Sequence, residues 1–226
     1  MSDTLILAST SPRRRELLQR LSVQFHAVSP EPDDDPADHR PAVQFAQDLA
    51  ARKAASVALA PEYASRFVLG ADTVVFDDEQ ILLKPADRGE ARRMLERLAG
   101  RTHRVVTGLA LYGPAAGDGA PDSGGPGGGG GPESRGGGPE SRGGGRSPRV
   151  EAEITAVTFA PLDREEIEWY LDSGEWRGVA GGYRIQERGA VLVEHIAGSY
   201  SGVMGLPLRL LYSMLRVTGF RFPVHR

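Results

Sequence analysis

The stretch from Leu5 to Leu18 constrains this chain more than any other. Leu5, Ile6, Leu7 and Ala8 form a short apolar run that reads as a buried strand. Ser9, Thr10 and Ser11 break the run with a polar bend, and Pro12 stands where a helix would place its first residue. Proline there gives up only an N–H that would have no partner, and a serine before it is a preferred N-cap. Leu17, Leu18 and Leu21 supply the helix with an apolar stripe.

The same segment carries a charge pattern that a helix start disfavours. Arg13, Arg14 and Arg15 set three cations against the positive end of the helix dipole, which favours anions, and Glu16 offsets this only in part. An anion held by free backbone N–H groups, serine hydroxyls and guanidinium forks accounts for the pattern, and phosphate is the expected one. A solvated arginine run is the commoner fate of such residues, but it leaves the strand, serine-rich bend and helix unexplained.

Composition narrows the classes. The formal net charge of -3 provides no general basic footprint for nucleic acid. With no cysteine, disulfides, thiolate nucleophiles and cysteine-ligated zinc are excluded. No apolar run is long enough to span a bilayer, and the short N-terminal one is followed by arginines rather than a cleavage site. A cytoplasmic protein with no membrane partner is the expectation. The 226 residues allow one large domain or a two-lobed one.

Val23 to Val28 reads as a strand, followed by the acidic run Asp33, Asp34 and Asp35, which is either a solvated loop or a carboxylate source for a metal. Pro41 to Ala60 reads as an alanine-rich helix in which the step from Phe45 to Leu49 lands next on Lys53 and then Val57. A lysine in line with an apolar stripe either snorkels to water or points at an anion, and snorkelling is the ordinary outcome. Arg66 to Asp77 is an apolar strand interrupted by Gly70 and Asp72. A charge inside a core strand is costly unless paired or metal-bound, so Asp72 is expected to be functional. Gly70 signals close approach of another group to the backbone.

Asp87 with Glu90 and Asp163 with Glu166 resemble capping boxes that start two more helices. Thr102 to Tyr112 and Val150 to Phe159 alternate as strands of similar length, expected to be antiparallel neighbours. Between them, residues Gly113 to Arg149 are low-complexity and repeat a seven-residue unit, Gly129 to Arg135 and Gly136 to Arg142. That composition offers little apolar surface to offset ordering entropy, so a disordered insert within a single 1–226 domain is expected. Trp176 to Gly189 is a glycine-punctuated loop, Gly189 to Ile196 reads as a strand, and Gly198 to Gly202 as a turn. Gly205, Leu206 and Pro207 open a last helix with Leu208, Leu211, Tyr212 and Leu215 inward.

Arg13, Arg14, Lys53 and Lys84 can hold phosphate oxygens, and Asp34 and Asp72 can hold a hard divalent ion. Magnesium takes one or two carboxylates together with substrate phosphates, so metal-assisted attack of water on a phosphate ester or anhydride fits. Serine nucleophile catalysis fits poorly: Ser9 and Ser11 lack an elbow pattern, and His26, His39, His103, His195 and His225 are scattered. Neither a Walker loop nor a dinucleotide fingerprint is present.

These residues also carry a resemblance. Leu5–Leu18, the Gly-Ala-Asp-Thr-Val-Val of Gly70–Val75, and Lys84-Pro85 resemble the Maf family of nucleoside triphosphate pyrophosphatases. So do Gly-Arg-x-His-x-Val-x-Thr at Gly100–Thr107, Gly-Tyr-x-Ile-Gln at Gly182–Gln186 and Val-Met-Gly-Leu-Pro-Leu at Val203–Leu208. The resemblance implies a mixed-sheet α/β fold of the inosine-triphosphatase-like (Maf/Ham1) type, with two lobes around a nucleotide cleft. It implies a nucleotide diphosphatase that takes a nucleoside triphosphate to the monophosphate and pyrophosphate with Mg²⁺ or Mn²⁺. Asp72 then has the proton-acceptor role. Ser9, Arg13, Arg14, Lys53 and Lys84 line the phosphate site, and Asp34 and Asp72 hold the metal, Asp34 standing where the family usually has glutamate. Arg13, Thr73 and Gln186 match the trio of the branch acting on dTTP and UTP. Val179 stands where members often carry a lysine, and the glycine-rich insert is outside the usual pattern. The oligomeric state is left open, a homodimer included.

A different class of reading is a non-catalytic nucleotide- or RNA-binding regulator of cell division, because the Ser-Arg-Gly-Gly-Gly runs resemble segments of single-stranded RNA binders. The insert has no aromatic residue after Tyr112 and sets Glu133 and Glu140 beside its arginines, which argues against it.

Overall fold

The computed structural model describes residues 2–31, 40–78, 80–115 and 146–223. The first strand and helix follow the expected boundaries: β1 spans Leu5–Ala8 and α1 Pro12–Arg20. Ser11 occupies the N-cap position, but its hydroxyl caps nothing. Its amide instead donates to Ser9 Oγ at 3.2 Å. β2 (Phe25–Val28), the helix α2 (Ala42–Ala58) and β3 (Phe67–Phe76) follow.

β1 pairs parallel with β2 on one side and with β3 on the other. The chain therefore leaves β1 in one direction through α1 and returns past it through α2. Strand order reverses at β1, and in open α/β sheets ligands bind beyond the carboxyl ends of strands at such a switch point. Beyond β3 the sheet becomes antiparallel. β4 (Ile81–Leu82) pairs with β3; α3 (Arg88–Leu98) follows, and then the long strands β5 (Thr102–Tyr112) and β6 (Arg149–Phe159) pair antiparallel from Thr102–Thr158 to Leu111–Arg149. α4 (Arg164–Asp172), β7 (Val193–Ala197), the short α5 (Tyr200–Val203) and α6 (Leu208–Val217) complete the described elements. Sheet order is β2-β1-β3-β5-β6-β7.

Two apolar layers cover the sheet. Leu5, Leu7, Leu69, Leu109 and Leu111 pack with Leu17 and Leu18 of α1 and with residues of α3, α4 and α6 on one face. Alternation along the strands sends Ile6, Ala8, Val68 and Ala110 to the other face, against Ala50, Ala54 and Val57 of α2. Here Gly70 meets its expected neighbour. A Cβ on Gly70 would lie 2.2 Å from the Ala50 carbonyl oxygen, and one on Gly108 would lie 2.4 Å from that of Ala46. Two adjacent strands thus lack side chains where α2 rests, and the helix backbone sits directly on the sheet.

The late part of the chain departs from expectation. Residues Arg188–Leu192 form a 3₁₀ turn, and only Val193–Ala197 pair with β6. Gly189 explains the turn: a Cβ there would stand 2.5 Å from the Arg184 carbonyl oxygen, an approach that folds the chain back on itself. The expected turn at Gly198–Gly202 contains the one-turn α5, capped by Ser199 Oγ, which accepts from the Gly202 amide at 3.0 Å. Tyr212 is half-buried and packs on Phe222, while Met214 takes the fully inward position. Asp163 and Glu166 make the complete reciprocal capping box; Glu90 instead takes the Ala86 amide while Asp87 caps Glu90.

Of the expected disordered insert, residues 116–145 lie outside the described residues, but its two ends are ordered. The Ala115 amide donates to the Ala64 carbonyl at 2.8 Å. Arg146 donates to the carbonyls of Gly113, Ala58, Tyr63 and Arg66 and stacks over Tyr112, 5.3 Å from its ring centre. Ala58 closes α2 and Tyr63 closes a 3₁₀ turn. Carbonyls at such ends have no intrahelical partner and carry partial negative charge, which a guanidinium satisfies. No described helix is long and apolar enough to cross a membrane.

Candidate active site

A cleft of about 500 Å³ opens beyond the end of β1, alongside the second half of β3. Its walls come from the Ser9–Arg14 bend, from α2, from β3, from the segment containing Lys84, from the Gly178–Glu187 loop and from Val203–Gly205. Ser9, Arg13, Arg14, Lys53, Asp72, Thr73, Lys84 and Gln186 all line it. Asp34 lies outside the described residues.

Alternation on β3 divides the site. Asp72 faces α2, whose seat on Gly70 and Gly108 brings Lys53 into contact with it: Lys53 Nζ donates to Asp72 Oδ1. Both side chains are mostly buried, at 18% and 14% exposure, so this lysine does not snorkel to bulk water. Asp72 Oδ2 takes no donor among the described residues. A hard cation needs such an oxygen, with the rest of its shell drawn from phosphate and water, so Asp72 fits a divalent metal. Among the described residues no group of three or more carboxylates and imidazoles comes together.

Thr73, the next residue, faces α1. Arg14 reaches it from the first turn of that helix and is held by three neutral acceptors. Nε donates to the Gly205 carbonyl at 2.8 Å, Nη1 to Ser9 Oγ at 3.2 Å and Nη2 to Thr73 Oγ1 at 3.3 Å. Gly205 is at φ 110°, where a side chain would be strained, and a Cβ there would lie 3.2 Å from Thr73 Oγ1. The glycine keeps the approach to Arg14 open.

The field inside the cleft is positive. Burial pushes the Arg13 guanidinium below its ordinary pKa, and the charges of Arg184 and Arg14 push the same way against Tyr170 and Glu187. Burial also lowers Arg14, with Asp72 opposing. Among the described residues neither arginine forms an ion pair. The amides of Arg13 and Arg14, second and third in α1, take no acceptor there either, so N–H groups and guanidinium groups converge on one wall. This is an anion site in the sense of a helix N-terminus reinforced by forks.

Sequence reasoning missed Arg184, while Tyr170 is buried in α4 as its helix pattern implied. Arg184 lines the cleft, its amide donates to Tyr170 Oη at 3.1 Å, and its Nε is buried with no partner. Its only signal was a variable position inside Gly-Tyr-x-Ile-Gln. Val179 is buried in the cleft wall, so at this position the wall is apolar. His103 is structural: burial lowers its pKa to about 4, and Nε2 meets Tyr183 Oη at 2.9 Å.

A family model described as Maf-like protein matches residues 4–218. A dTTP/UTP pyrophosphatase of Symbiobacterium thermophilum is 40% identical over 220 residues, covering 97% of this chain and 95% of the relative. Proteins of the same name from Pelotomaculum thermopropionicum and Pyrococcus furiosus are 37% and 36% identical. The first alignment covers 96% of this chain and 97% of the relative, the second 94% of each. Among solved structures, a HAM1 protein from Coxiella burnetii superposes with a TM-score of 0.44 at 15% identity, over 95% of this chain and 99% of that one.

Proposed function

This chain belongs to the Maf-like protein family, and on that premise we propose that it hydrolyses dTTP and UTP to the monophosphate and pyrophosphate. The observation that carries the reading is the meeting of the Asp72 carboxylate, paired with Lys53, with the cations Arg13, Arg14 and Lys84 in a single cleft at the strand-order switch. The names of relatives that align over nearly the whole chain support the choice of substrate.

In this reading the cleft of an inosine-triphosphatase-like fold receives the triphosphate. Ser9, Arg13, Arg14, Lys53 and Lys84 bind its oxygens, with the free amides at the start of α1. Asp72 accepts a proton from a water molecule whose oxygen forms the new bond to the α-phosphorus. The bridging bond between the α and β phosphates breaks, and its electrons leave with pyrophosphate. A divalent metal fits at Asp72, with Asp34 as a second candidate ligand, and would supply charge neutralisation and a more acidic water. Lys53 holds the carboxylate in place. Gln186, half-buried in the cleft wall, offers an acceptor and two donors to the carbonyl and imide edge shared by thymine and uracil.

The test is a panel of nucleoside triphosphates with Mg²⁺ or Mn²⁺ and identification of products. Monophosphate with pyrophosphate supports the reading; release of orthophosphate alone refutes it.

A further inference from the structure

Thr107 lies on β5 opposite Thr73 in the register of the two strands, and it is completely buried. Its Oγ1 is 2.9 Å from Thr73 Oγ1 and 2.8 Å from the Gly202 carbonyl oxygen of α5. The direction of these bonds follows from what each group can do. A carbonyl only accepts, so the single Thr107 proton goes to Gly202. Thr73 must then donate its own proton to Thr107, which leaves Thr73 only lone pairs to offer. A guanidinium only donates, and Arg14 Nη2 fills that demand at 3.3 Å. The chain runs one way: Arg14 to Thr73 to Thr107 to Gly202.

Thr107 also governs a second contact of Arg14. Gly202 is three residues before Gly205, whose carbonyl accepts from Arg14 Nε. The segment between them turns tightly, with the Gly205 amide bonded to the Gly202 carbonyl at 3.0 Å. Anchoring Gly202 therefore anchors Gly205. We infer that Thr107 is a positioning residue for Arg14: its buried hydroxyl fixes two of the three acceptors that hold the guanidinium. Of the five N–H groups of Arg14, three are engaged in this way, and one on each terminal nitrogen remains for an anion in the cleft. Two consequences follow. Thr73 has no proton left for the substrate and acts on it through Arg14. The two remaining Arg14 donors, one on each terminal nitrogen, are left for the oxygens of a phosphate group.

This inference rests on the anion-binding reading of the cleft, and its test does not need turnover. Binding of inorganic pyrophosphate is measured by calorimetry for the unchanged protein, Thr107→Val, Thr107→Ser, Arg14→Ala and the Thr107→Val, Arg14→Ala pair. Valine keeps the volume and removes the hydroxyl; serine keeps the hydroxyl. We expect Thr107→Val to weaken pyrophosphate binding on the order of tenfold, serine to bind like the unchanged protein, and the valine effect to vanish in the Arg14→Ala background. A valine effect that persists without Arg14, or a serine variant as weak as valine, overturns the inference. So does unchanged binding in Thr107→Val. If valine fails to fold, Thr107→Ala takes its place in the same comparison with and without Arg14→Ala, under the same expected and overturning outcomes. An unchanged protein that binds pyrophosphate with this pattern but cleaves neither dTTP nor UTP would refute the proposed substrate and leave the role of Thr107 standing.

Discussion

Lys53 Nζ and Asp72 Oδ1 are in direct contact, although one belongs to a helix and the other to the central strand beneath it. The contact exists because the strands below carry no side chain at Gly70 and Gly108, so the helix backbone descends onto the sheet. An acid buried in a strand and a lysine in an apolar stripe become a pair at the cleft floor.

Replacing Asp72 by Asn keeps the shape and removes both the base and the charge. A general base contributes about 10²–10⁴-fold, so pyrophosphate release from dTTP or UTP should fall at least that far while the unfolding transition is retained. Near-normal turnover would move the proton acceptor elsewhere.

Gly70→Ala should be among the most damaging changes to the fold. Its methyl would stand 2.2 Å from a helix carbonyl, and the backbone cannot swing aside as a side chain would. Overpacking of this kind costs about 3 kcal/mol, roughly 6–12 °C in Tm for a domain of this size. Thermal unfolding checks it; a shift under 2 °C, taken as roughly half a kcal/mol, would mean that α2 can lift without penalty.

Gln186→Ala should narrow the preference for dTTP and UTP over CTP without abolishing hydrolysis. A site that hydrogen-bonds one base edge rejects the opposite pattern because buried polar groups stay unpaired. The kcat/KM ratio for UTP against CTP is the readout. An unchanged ratio would remove Gln186 from base recognition.

Acid should weaken the fold through His103. Its pKa is 6.5 in the ordinary state and about 4 when folded, because burial disfavours the charged imidazolium. Between those values the unfolded chain binds a proton that the folded one does not, so stability falls as pH drops from 6.5 towards 4. The slope reaches about 1.4 kcal/mol per pH unit. Urea midpoints at several pH values should show a shallower decline in His103→Gln; parallel declines would assign the acid sensitivity to other groups.

Arg146→Ala removes a guanidinium from four carbonyls and one aromatic ring. We expect a loss of about 1–3 kcal/mol, with faster amide exchange at the ends of β5 and β6 and with nucleotide hydrolysis unchanged. Unaltered exchange there would show that the strand pairing alone holds those ends.

Local signals made the first strand, the Pro12 helix start and the Asp163 cap readable from sequence, because each depends on residues a few positions apart. Asp72 stood out for the same reason, as a charge in an apolar run. Lys53 could not be paired with it from spacing, since their contact depends on how deeply a helix seats on two glycines, and only Gly70 attracted notice. Thr107 was hidden because a threonine in an alternating strand is ordinary until its neighbours across the sheet are known. The late loop misled because Gly189 turns the chain through an approach to Arg184, which no local pattern announces.

The Arg146 clasp has a practical meaning for anyone wishing to build on this scaffold. It ties the chain on both sides of residues 116–145 to the same patch of helix end and strand end. Closing a longer loop costs only roughly 0.6 kcal/mol for each doubling of its length. The paired strands should therefore tolerate a foreign domain, a peptide tag or a short linker spliced between Ala115 and Arg146. That makes the point a natural port for a fluorescent reporter that leaves the nucleotide cleft as it is.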